Sequence, residues 1–363
     1  MNEKILIITS GVTAGGVDSL ILNMLSEMEK NRFEIDILIF DDSKDDWAYK
    51  FEEYGCTILK ALRARKQGVI KSIINYRKII KNGNYKVIHS HIGLGSVLPV
   101  IASSTIKGTQ IICHSHFDDY EGSSMNKKLA HLVYNLFPCR KLACSIGAGV
   151  ELYGKKSEFE FVKNGIDTER FAYNYEVRKK IRSQMGFSSD MFIMGTVGRM
   201  EYQKNHEFLL DIFKEVKNKQ ENSKLILIGD GILRNKILDK ARKLNIIEDV
   251  IFLGVRNDVD QLLQALDLFV MPTRFEGLSL ALLEVQCSGL PCLTTDVVPK
   301  EAKVNDEFEF LSLNQTAKEW AAHALKYYQY NRKDRAIEVR NAGFGKYESA
   351  NEMFRIYQEL INI

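Results

Sequence analysis

The segment Leu266–Asp296 constrains the fold of this chain most, because it reads as a complete strand–loop–helix–turn–strand unit. The apolar run Leu268–Val270 ends at a proline, as a buried strand of a parallel sheet would. Helical spacing of apolar residues resumes near Ser279, and Gly289 supplies the left-handed residue that ends a helix. Cys292 begins the next apolar run. The segment therefore predicts an α/β fold with parallel strands.

Two carboxylates lie within this unit, Glu276 in the loop and Glu284 inside the helix. The N–H groups at the start of the helix carry the positive end of its dipole and suit phosphate, whereas carboxylates suit hydroxyls. Those N–H groups belong to Gly277, Leu278, Ser279 and Leu280. Glu276 is equally compatible with a solvated loop residue. Glu284 is harder to dismiss, because leucines crowd around it and a charge there needs a partner or a ligand.

Two further loops between a predicted strand and a predicted helix carry residues suited to phosphate. Arg199 and Lys204 flank the loop that follows a strand of the second half, where two cations and a helix start can hold a diphosphate. In the first half, Gly15 and Gly16 lie in a glycine-rich loop that lets the backbone approach a phosphate closely. The loop of the first half is not G-x-G-x-x-G, and Gly229-Asp230-Gly231 lacks a third glycine, so a dinucleotide cofactor is not expected.

Two predicted strands of the first half run into the sequence His-Ser-His. Ligands of open parallel sheets gather beyond the carboxyl ends of strands, so His91 and His116, the last of each run, are candidates for contacting a ligand. His89 and His114 are interpreted as neutral structural residues, each bonded to a backbone carbonyl. No spacing of histidines and carboxylates predicts a metal centre.

The pair Asp258 and Asp260 resembles a metal-binding D-x-D element, but it lies at the head of a helix, where Asp is an ordinary cap. The polar segment from Phe117 to Lys128 is expected to be a loop over the crevice. An Asn-Gly turn predicts a hinge between the two α/β halves over Asn164–Asn174.

Composition describes an ordinary globular protein of 363 residues, with 45% hydrophobic and 27% charged residues and a net charge of +3. No apolar run reaches the roughly 18 residues of a membrane span, and no signal peptide is expected. The six cysteines form no C-x-x-C and suit reduced core thiols, so a cytoplasmic location is expected.

The stretch Lys60–Lys86 contains nine basic residues, no acidic residue, and isoleucines at near-helical intervals. A basic amphipathic helix indicates an anionic membrane surface, and a helix packed on its own domain is the equally simple alternative. Few aromatic residues are interleaved with the bases, so nucleic acid is not expected as a partner.

The ordered set of motifs resembles the retaining glycosyltransferases of family 4, which have the GT-B fold. Glu276 and Glu284 match the E-x7-E element of that family, and EGLSLALLEVQCSGLPCL resembles its capsular and exopolysaccharide, EpsF-like branch. The resemblance implies two Rossmann-like domains with parallel sheets facing across a cleft. It implies an acceptor-binding domain over residues 1–165, a nucleotide-sugar-binding domain over 166–342, and a last helix, 343–363, that crosses back to the first domain.

The resemblance also implies roles for individual side chains. Arg199 and Lys204 would bind the donor diphosphate, and Glu284 would hold the ribose. The implied catalytic residues are His116 and Glu276. The implied donor-binding residues are Gly15, Gly16, Arg199, Lys204, Gly277, Leu278, Ser279, Leu280 and Glu284. The implied acceptor side is His91, Asp118 and Tyr120.

The expected reaction is transfer of a hexose or N-acetylhexosamine from a UDP sugar, with retention and without a metal or other cofactor. The expected acceptor is a polyprenyl-diphosphate-linked saccharide, met at the inner face of the cell membrane. The family often has E-G-F-G where this chain has Glu276-Gly277-Leu278-Ser279. After G-G-x, Asp18 replaces the longer acidic residue that is commoner in the family. These differences leave the identity of the donor open. The alternatives are a UDP-N-acetylhexosamine 2-epimerase of the same architecture and a non-catalytic subunit that binds nucleotide sugar.

Overall fold

The chain forms two units, each with its own parallel sheet. The computed structural model describes residues 3–13, 15–28, 33–117 and 124–362. Unit 1 consists of Met1–Ile166 with Gly343–Ile363, and unit 2 of Asp167–Ala342. Among the described helices, none combines the length and apolar character that crossing a bilayer requires.

The strands account for both sheets. In unit 1 they are β1 (Glu3–Ile8), β2 (Phe33–Phe40), β3 (Thr57–Ala61), β4 (Val87–Ser90), β5 (Gln110–Ser115), β6 (Arg140–Ala143) and β7 (Glu160–Phe161). In unit 2 they are β8 (Phe192–Val197), β9 (Ser223–Ile228), β10 (Val250–Gly254), β11 (Leu268–Met271), β12 (Cys292–Thr295) and β13 (Phe308–Leu311).

Helices alternate with these strands. They are α1 (Gly16–Glu27), α2 (Ala48–Glu52), α3 (Ala64–Gln67), α4 (Val69–Gly83), α5 (Val97–Ser103), α6 (Ser124–Leu136), α7 (Ile146–Tyr153), α8 (Tyr175–Gln184), α9 (His206–Lys217), α10 (Arg234–Lys243), α11 (Val259–Ala265), α12 (Leu280–Cys287), α13 (Ala317–Leu325), α14 (Ala336–Val339) and α15 (Lys346–Ile361).

The order of the first six strands is the same in the two sheets and makes both units Rossmann-like, as predicted, and unit 1 adds a seventh strand. The order is β3-β2-β1-β4-β5-β6-β7 in unit 1 and β10-β9-β8-β11-β12-β13 in unit 2. The described strand pairs of both sheets are parallel. In each sheet the first strand of the unit pairs with its fourth, and this reversal of strand order is where such sheets bind ligands.

Burial on both faces explains why the strands read as continuous apolar runs. Residues 5–8 of β1 and all of β11 are buried. One core of unit 1 lies between β1, α1 and the last helix, α15, which contributes Met353, Ile356 and Tyr357. The last helix of the chain is therefore part of unit 1.

Two segments differ from their prediction. The polar segment before Leu129 is helical from Ser124, because α6 extends one turn further than its apolar residues suggested. The basic stretch Lys60–Lys86 is not one helix, since Lys60 lies in β3, where it pairs with β2, and Gly68 with φ 85° separates α3 from α4.

The Asn-Gly turn predicted near residue 165 is absent. Gly165 does not have a positive φ, and Ile166 forms a parallel bridge with Gly345. A Cβ at Gly165 would lie 2.6 Å from the Cβ of Ser349 and 2.9 Å from the Gly345 oxygen. The glycine is required because two chain segments approach closely here, one residue before the change of unit.

We predict that Gly165→Ala destabilises unit 1 by about 1–3 kcal/mol, the usual cost of overpacking. The thermal midpoint of the transition should fall by several degrees, at roughly 2–4 °C per kcal/mol. Gly16→Ala is the matched control, because a Cβ at Gly16 meets nothing within 4 Å. Equal midpoints for the two variants in calorimetry would contradict the close approach.

Candidate functional site

The pairing of β8 with β11 brings together two loops that are far apart in the sequence. Leu268 of β11 lies beside Met194 of β8 in the parallel register. The carboxyl ends of both strands therefore lie at one edge of the sheet, and the loops that follow them are neighbours. These loops carry the predicted Lys204 and Glu276.

An ion pair joins the two loops. The Nζ of Lys204 donates to Oε2 of Glu276, and both side chains are more than four-fifths buried. Nζ also lies 3.6 Å from the sulfur of Met271, at the end of β11. The structure thus brings together two of the predicted residues and holds a cation at the strand ends.

Hydrogen bonds between the loops fix this arrangement. The Thr273 hydroxyl and the Arg274 N–H both donate to the Gln203 carbonyl, at 3.0 and 2.8 Å. The Gln203 side chain in turn donates to the Phe275 carbonyl at 3.0 Å. Sequence reasoning missed Gln203, because a lone glutamine in a loop carries no signal of a partner some seventy residues later.

The predicted Arg199 lies differently from Lys204. Its guanidinium is largely exposed and donates to Glu201 at 3.1 Å. An exposed pair of this kind contributes little to stability. Arg199 is therefore available to turn toward an anion at the same loop.

The helix start after Glu276 has the geometry that the sequence predicts. Helix α12 begins at Leu280, and Ser279 occupies the N-cap without a side-chain capping bond. Gly277 and Leu278 are buried beside it. The first turn of a helix offers N–H groups with no acceptor inside the helix, together with the positive end of the dipole. This end suits a phosphate oxygen.

Glu284 lies in the second turn of α12, half-buried. Burial raises the pKa of its carboxyl to about 7, and Arg170 lowers it by less than burial raises it. Arg170 donates to Asp260 at 2.6 Å, and the negative charge of Asp260 also raises the pKa of Glu284. Within the described residues, Glu284 makes no side-chain hydrogen bond, so its oxygens remain able to accept from hydroxyl groups.

The sequence did not indicate that Arg170 and Asp260 lie near Glu284.

Asp258 was predicted to cap a helix, and it does occupy the N-cap of α11. Its side chain makes no capping bond and instead accepts from Arg256 at 2.6 Å. Because both aspartates pair with arginines, the D-x-D element has the contacts of a salt-bridged helix start.

In unit 1, the predicted His91 and His116 contact each other. His91 Nδ1 lies 2.7 Å from His116 Nε2, and burial lowers the pKa of both rings, to about 3 for His116. His89 and His114 are buried as well, but among the described residues their rings do not bond to backbone carbonyls. His89 instead contacts the Tyr357 hydroxyl at 2.6 Å and the His114 ring at 3.2 Å. The alternation of side chains along neighbouring strands turns all four rings toward one another.

Asp18 holds the glycine-rich loop of unit 1 through hydrogen bonds to its carboxylate. Gly15 is the N-cap of α1 and Gly16 its first residue. The Asp18 carboxylate accepts from the Thr13 N–H at 2.9 Å and from the Thr9 hydroxyl at 3.2 Å, and burial raises the pKa of this carboxyl to about 6. Asp118 and Tyr120, predicted on the acceptor side, lie outside the described residues.

The six cysteines, all in the described part of the chain, are thiols rather than disulfides, and five of them are buried. Burial raises the pKa of Cys56 to about 12 and also raises the pKa of Cys292. They have the reduced core role that the sequence predicts.

Comparison with known proteins identifies relatives over most of the chain. Residues 177–342 match the family model described as glycosyl transferases group 1. The chain is 28% identical over 330 residues to EpsF of Bacillus subtilis (strain 168), named as a glycosyltransferase, covering 88% of this chain and 86% of EpsF. It is 29% identical over 257 residues to the Escherichia coli UDP-Gal:alpha-D-GlcNAc-diphosphoundecaprenol alpha-1,3-galactosyltransferase, covering 66% and 65%.

Solved structures agree on the fold. HepE of Anabaena, crystallised in complex with UDP and glucose, matches with a TM-score of 0.80 over 98% of this chain and 100% of HepE, at 18% identity. WaaG, a glycosyltransferase involved in lipopolysaccharide biosynthesis, matches with a TM-score of 0.74 over 96% and 98%, at 16% identity. Similarity at this level of identity is one of fold.

We predict that Glu284→Gln stabilises unit 2 relative to the parent chain, and that this gain in stability is larger at pH 8 than at pH 5. The raised pKa means that the folded state keeps a proton which the unfolded chain has lost above about pH 4.5. Stability is therefore lost as the pH rises toward 7, by up to about 3 kcal/mol at roughly 1.4 kcal/mol per pH unit, and Gln removes that loss.

Thermal midpoints at the two pH values measure this difference. Glu169→Gln, at an exposed glutamate of the same unit, should follow the parent chain at both pH values. A Glu284→Gln profile parallel to that control would show that Glu284 is ionised throughout.

Proposed function

We propose that this chain is a group 1 glycosyltransferase of the GT-B fold that moves a hexose or N-acetylhexosamine from a UDP sugar to a lipid-linked saccharide. The names of the relatives support this direction. The Escherichia coli relative acts on UDP-Gal and a diphosphoundecaprenol-linked acceptor, and HepE was solved with UDP and glucose. The process would be synthesis of an exopolysaccharide or capsule.

The observation that carries the proposal is the Lys204–Glu276 pair beside the start of α12. An ammonium has three donors, so Lys204 can keep Glu276 and also donate to a phosphate oxygen. Arg199 would turn from Glu201 onto the same diphosphate. Together with the N–H groups of residues 277–280, these cations would stabilise the leaving nucleoside diphosphate.

Two carboxylates would recognise the hydroxyl groups of the donor. Glu284, half-buried and without a recorded side-chain hydrogen bond among the described residues, would accept from the ribose hydroxyls. Glu276 would accept from hydroxyls of the transferred sugar, in an orientation fixed by Lys204. Arg170, which already pairs with Asp260, would offset part of the negative charge when that carboxyl loses its proton.

Transfer would proceed with retention and with attack on the face from which the diphosphate leaves. The leaving phosphate oxygen would accept the proton of the acceptor hydroxyl, so no metal is required for this step. His116, neutral because of its burial, would donate or accept a hydrogen bond at the sugar, and Gly15 and Gly16 would let α1 approach the phosphates. His91, Asp118 and Tyr120 stay proposals for the acceptor side. Trapping a covalent glycosyl group on Glu276 would contradict same-face attack.

We predict that Lys204→Ala weakens binding of UDP by roughly 1.5–3 kcal/mol, or about 10- to 150-fold. The variant loses a charge-assisted bond and also leaves Glu276 unpaired beside the diphosphate. Titration calorimetry with UDP measures the change.

Lys240→Ala is the matched control, because Lys240 of α10 forms a similar pair with Asp211 of α9 at 2.6 Å. It should bind UDP as the parent does. Unchanged affinity in Lys204→Ala would remove Lys204 from the donor site.

A panel of UDP, GDP and ADP sugars, each with and without a diphosphate-linked saccharide, tests the reaction itself. A transferase should form a longer saccharide only when the acceptor is present. Formation of the 2-epimer from the donor alone would favour the epimerase. Donor binding without either product would favour a non-catalytic partner subunit.

The proposed location is the inner face of the membrane, with α4 against anionic lipid. The bases at the start of the Lys60–Lys86 stretch do not serve this role, because they pair with acidic residues. Lys60 pairs with Asp45, and Arg63 and Arg65 pair with Asp42, all at 2.6 Å. By contrast, Lys71, Lys78 and Lys81 are exposed on α4 and form no ion pair with a described residue.

Exposed apolar side chains accompany these lysines. Val69, Ile70 and Ile74 of α4 are 57%, 75% and 58% exposed. On α6, which packs against α5 as α4 does, a second apolar stripe is exposed. It consists of Met125, Leu129, Leu132 and Leu136. Apolar residues beside lysines suit a lipid–water interface.

We predict that changing Lys71, Lys78 and Lys81 to Gln weakens binding to phosphatidylserine vesicles about 100-fold, at about 1 kcal/mol per lysine. Vesicle sedimentation measures the change. The control changes three exposed lysines of unit 2, Lys219, Lys243 and Lys318, to Gln and alters net charge equally. If both triple variants sediment alike, α4 has no specific role.

A further inference from the structure

Four buried histidines lie on one face of two neighbouring strands of unit 1. Residues two apart on a strand point to the same face, which pairs His89 with His91 and His114 with His116. In the parallel register, His89 lies beside Ile112 and Ser90 beside Cys113, so the next position places His91 beside His114. All four rings are at most 7% exposed, and the His89 and His91 ring centroids are only 4.0 Å apart.

Three of these rings bring donor atoms together. One ring nitrogen each of His89, His91 and His114 lies within 4.8 Å of the others. Zinc bound by imidazole at 2.0–2.1 Å in a tetrahedral site needs donors roughly 3.3 Å apart. Movements of about an ångström, within reach of ring rotation, would close the cluster around an ion.

Two nitrogens in the cluster lack a protein partner. His91 Nε2 and His114 Nε2 are buried without a hydrogen bond among the described residues. A buried polar atom without a partner costs about 1–3 kcal/mol, so these atoms need either a water or an ion. Burial also lowers the pKa of His89, His91 and His114, which keeps the rings neutral and their lone pairs available at pH 7.

The outer contacts of the cluster are those of metal-binding histidines, whose second nitrogen commonly donates to a fixed acceptor. His89 Nδ1 lies 2.6 Å from the Tyr357 hydroxyl, and His91 Nδ1 lies 2.7 Å from His116 Nε2. In the tautomer in which both Nδ1 atoms donate, Nε2 of both rings carries a lone pair. His89 Nε2 also lies 3.2 Å from His114 Nδ1. Because its lone pair cannot both accept a hydrogen bond and bind an ion, the ion would replace that contact.

We propose that His89, His91 and His114 bind one divalent transition-metal ion of the zinc class in unit 1. Three imidazoles leave a fourth position for water. The ion would tie the ends of β4 and β5 together and, through His91, fix the ring of His116. It is separate from the cations and carboxylates proposed for the donor, which belong to unit 2. No step of the proposed transfer runs through it. The H-x-x-x-H spacing of helical sites is absent because these ligands come from two strands.

Metal content of the untagged full chain tests the proposal. After equilibration with Zn²⁺ and removal of free ion, the parent chain should retain one zinc per chain by mass spectrometry of the metal. His91→Gln and His114→Gln should lose at least about tenfold in zinc affinity. His131→Gln and His323→Gln, which lie outside the cluster, should bind like the parent.

A Co²⁺ titration of the parent chain keeps the test decisive if a variant fails to fold. A stoichiometric, intense visible spectrum of four-coordinate cobalt, displaced by Zn²⁺, would support the site. Absence of stoichiometric metal in the folded parent would overturn it and assign the two nitrogens to buried water. Equal zinc binding by folded His91→Gln and His114→Gln would overturn it as well.

Discussion

The parallel pairing of β8 with β11 is the constraint on which the chemistry of unit 2 depends. It places the loops carrying Lys204 and Glu276 side by side, although the two residues are 72 positions apart in the chain. Non-local pairing costs loop-closure entropy, which the buried strands must offset through apolar contact. Gly195 shows how close this packing is, since a Cβ there would lie 2.6 Å from Leu266. The packing of the sheet alone therefore brings the two loops together.

The charges at that edge are arranged by contacts within the chain itself. Lys204 and Glu276 neutralise each other, the start of α12 presents its positive end, and Glu284 has a raised pKa because of burial. Groups fixed in advance need little reorganisation when charge develops on a leaving diphosphate. The same reasoning explains why the pair is held by bonds from Gln203 and Thr273 rather than left on free loops.

Much of this could be predicted from the sequence, because the signals were local. Hydrophobic periodicity and the glycine and proline residues that end helices and strands predict the strand ends and the helix start at Ser279. The two glutamates lie within one such segment. Contacts between distant segments could not be predicted. Gly165 was interpreted as a turn, but it is needed for the approach of Ser349, and the bases after Lys60 are neutralised by aspartates that precede them by about twenty residues. The contacts among the histidines depend on strand register, which no spacing within one strand encodes.

Hydrogen–deuterium exchange of the full chain with and without UDP tests the central claim most directly. If the edge made by β8 and β11 holds the nucleoside diphosphate, UDP should slow exchange in peptides covering residues 198–205 and 274–284. Peptides of the opposite ends of the same strands should exchange unchanged. Slowed exchange elsewhere, with both of these loops unaffected at saturating UDP, would contradict the assignment of Lys204, Glu276 and the start of α12 to the donor.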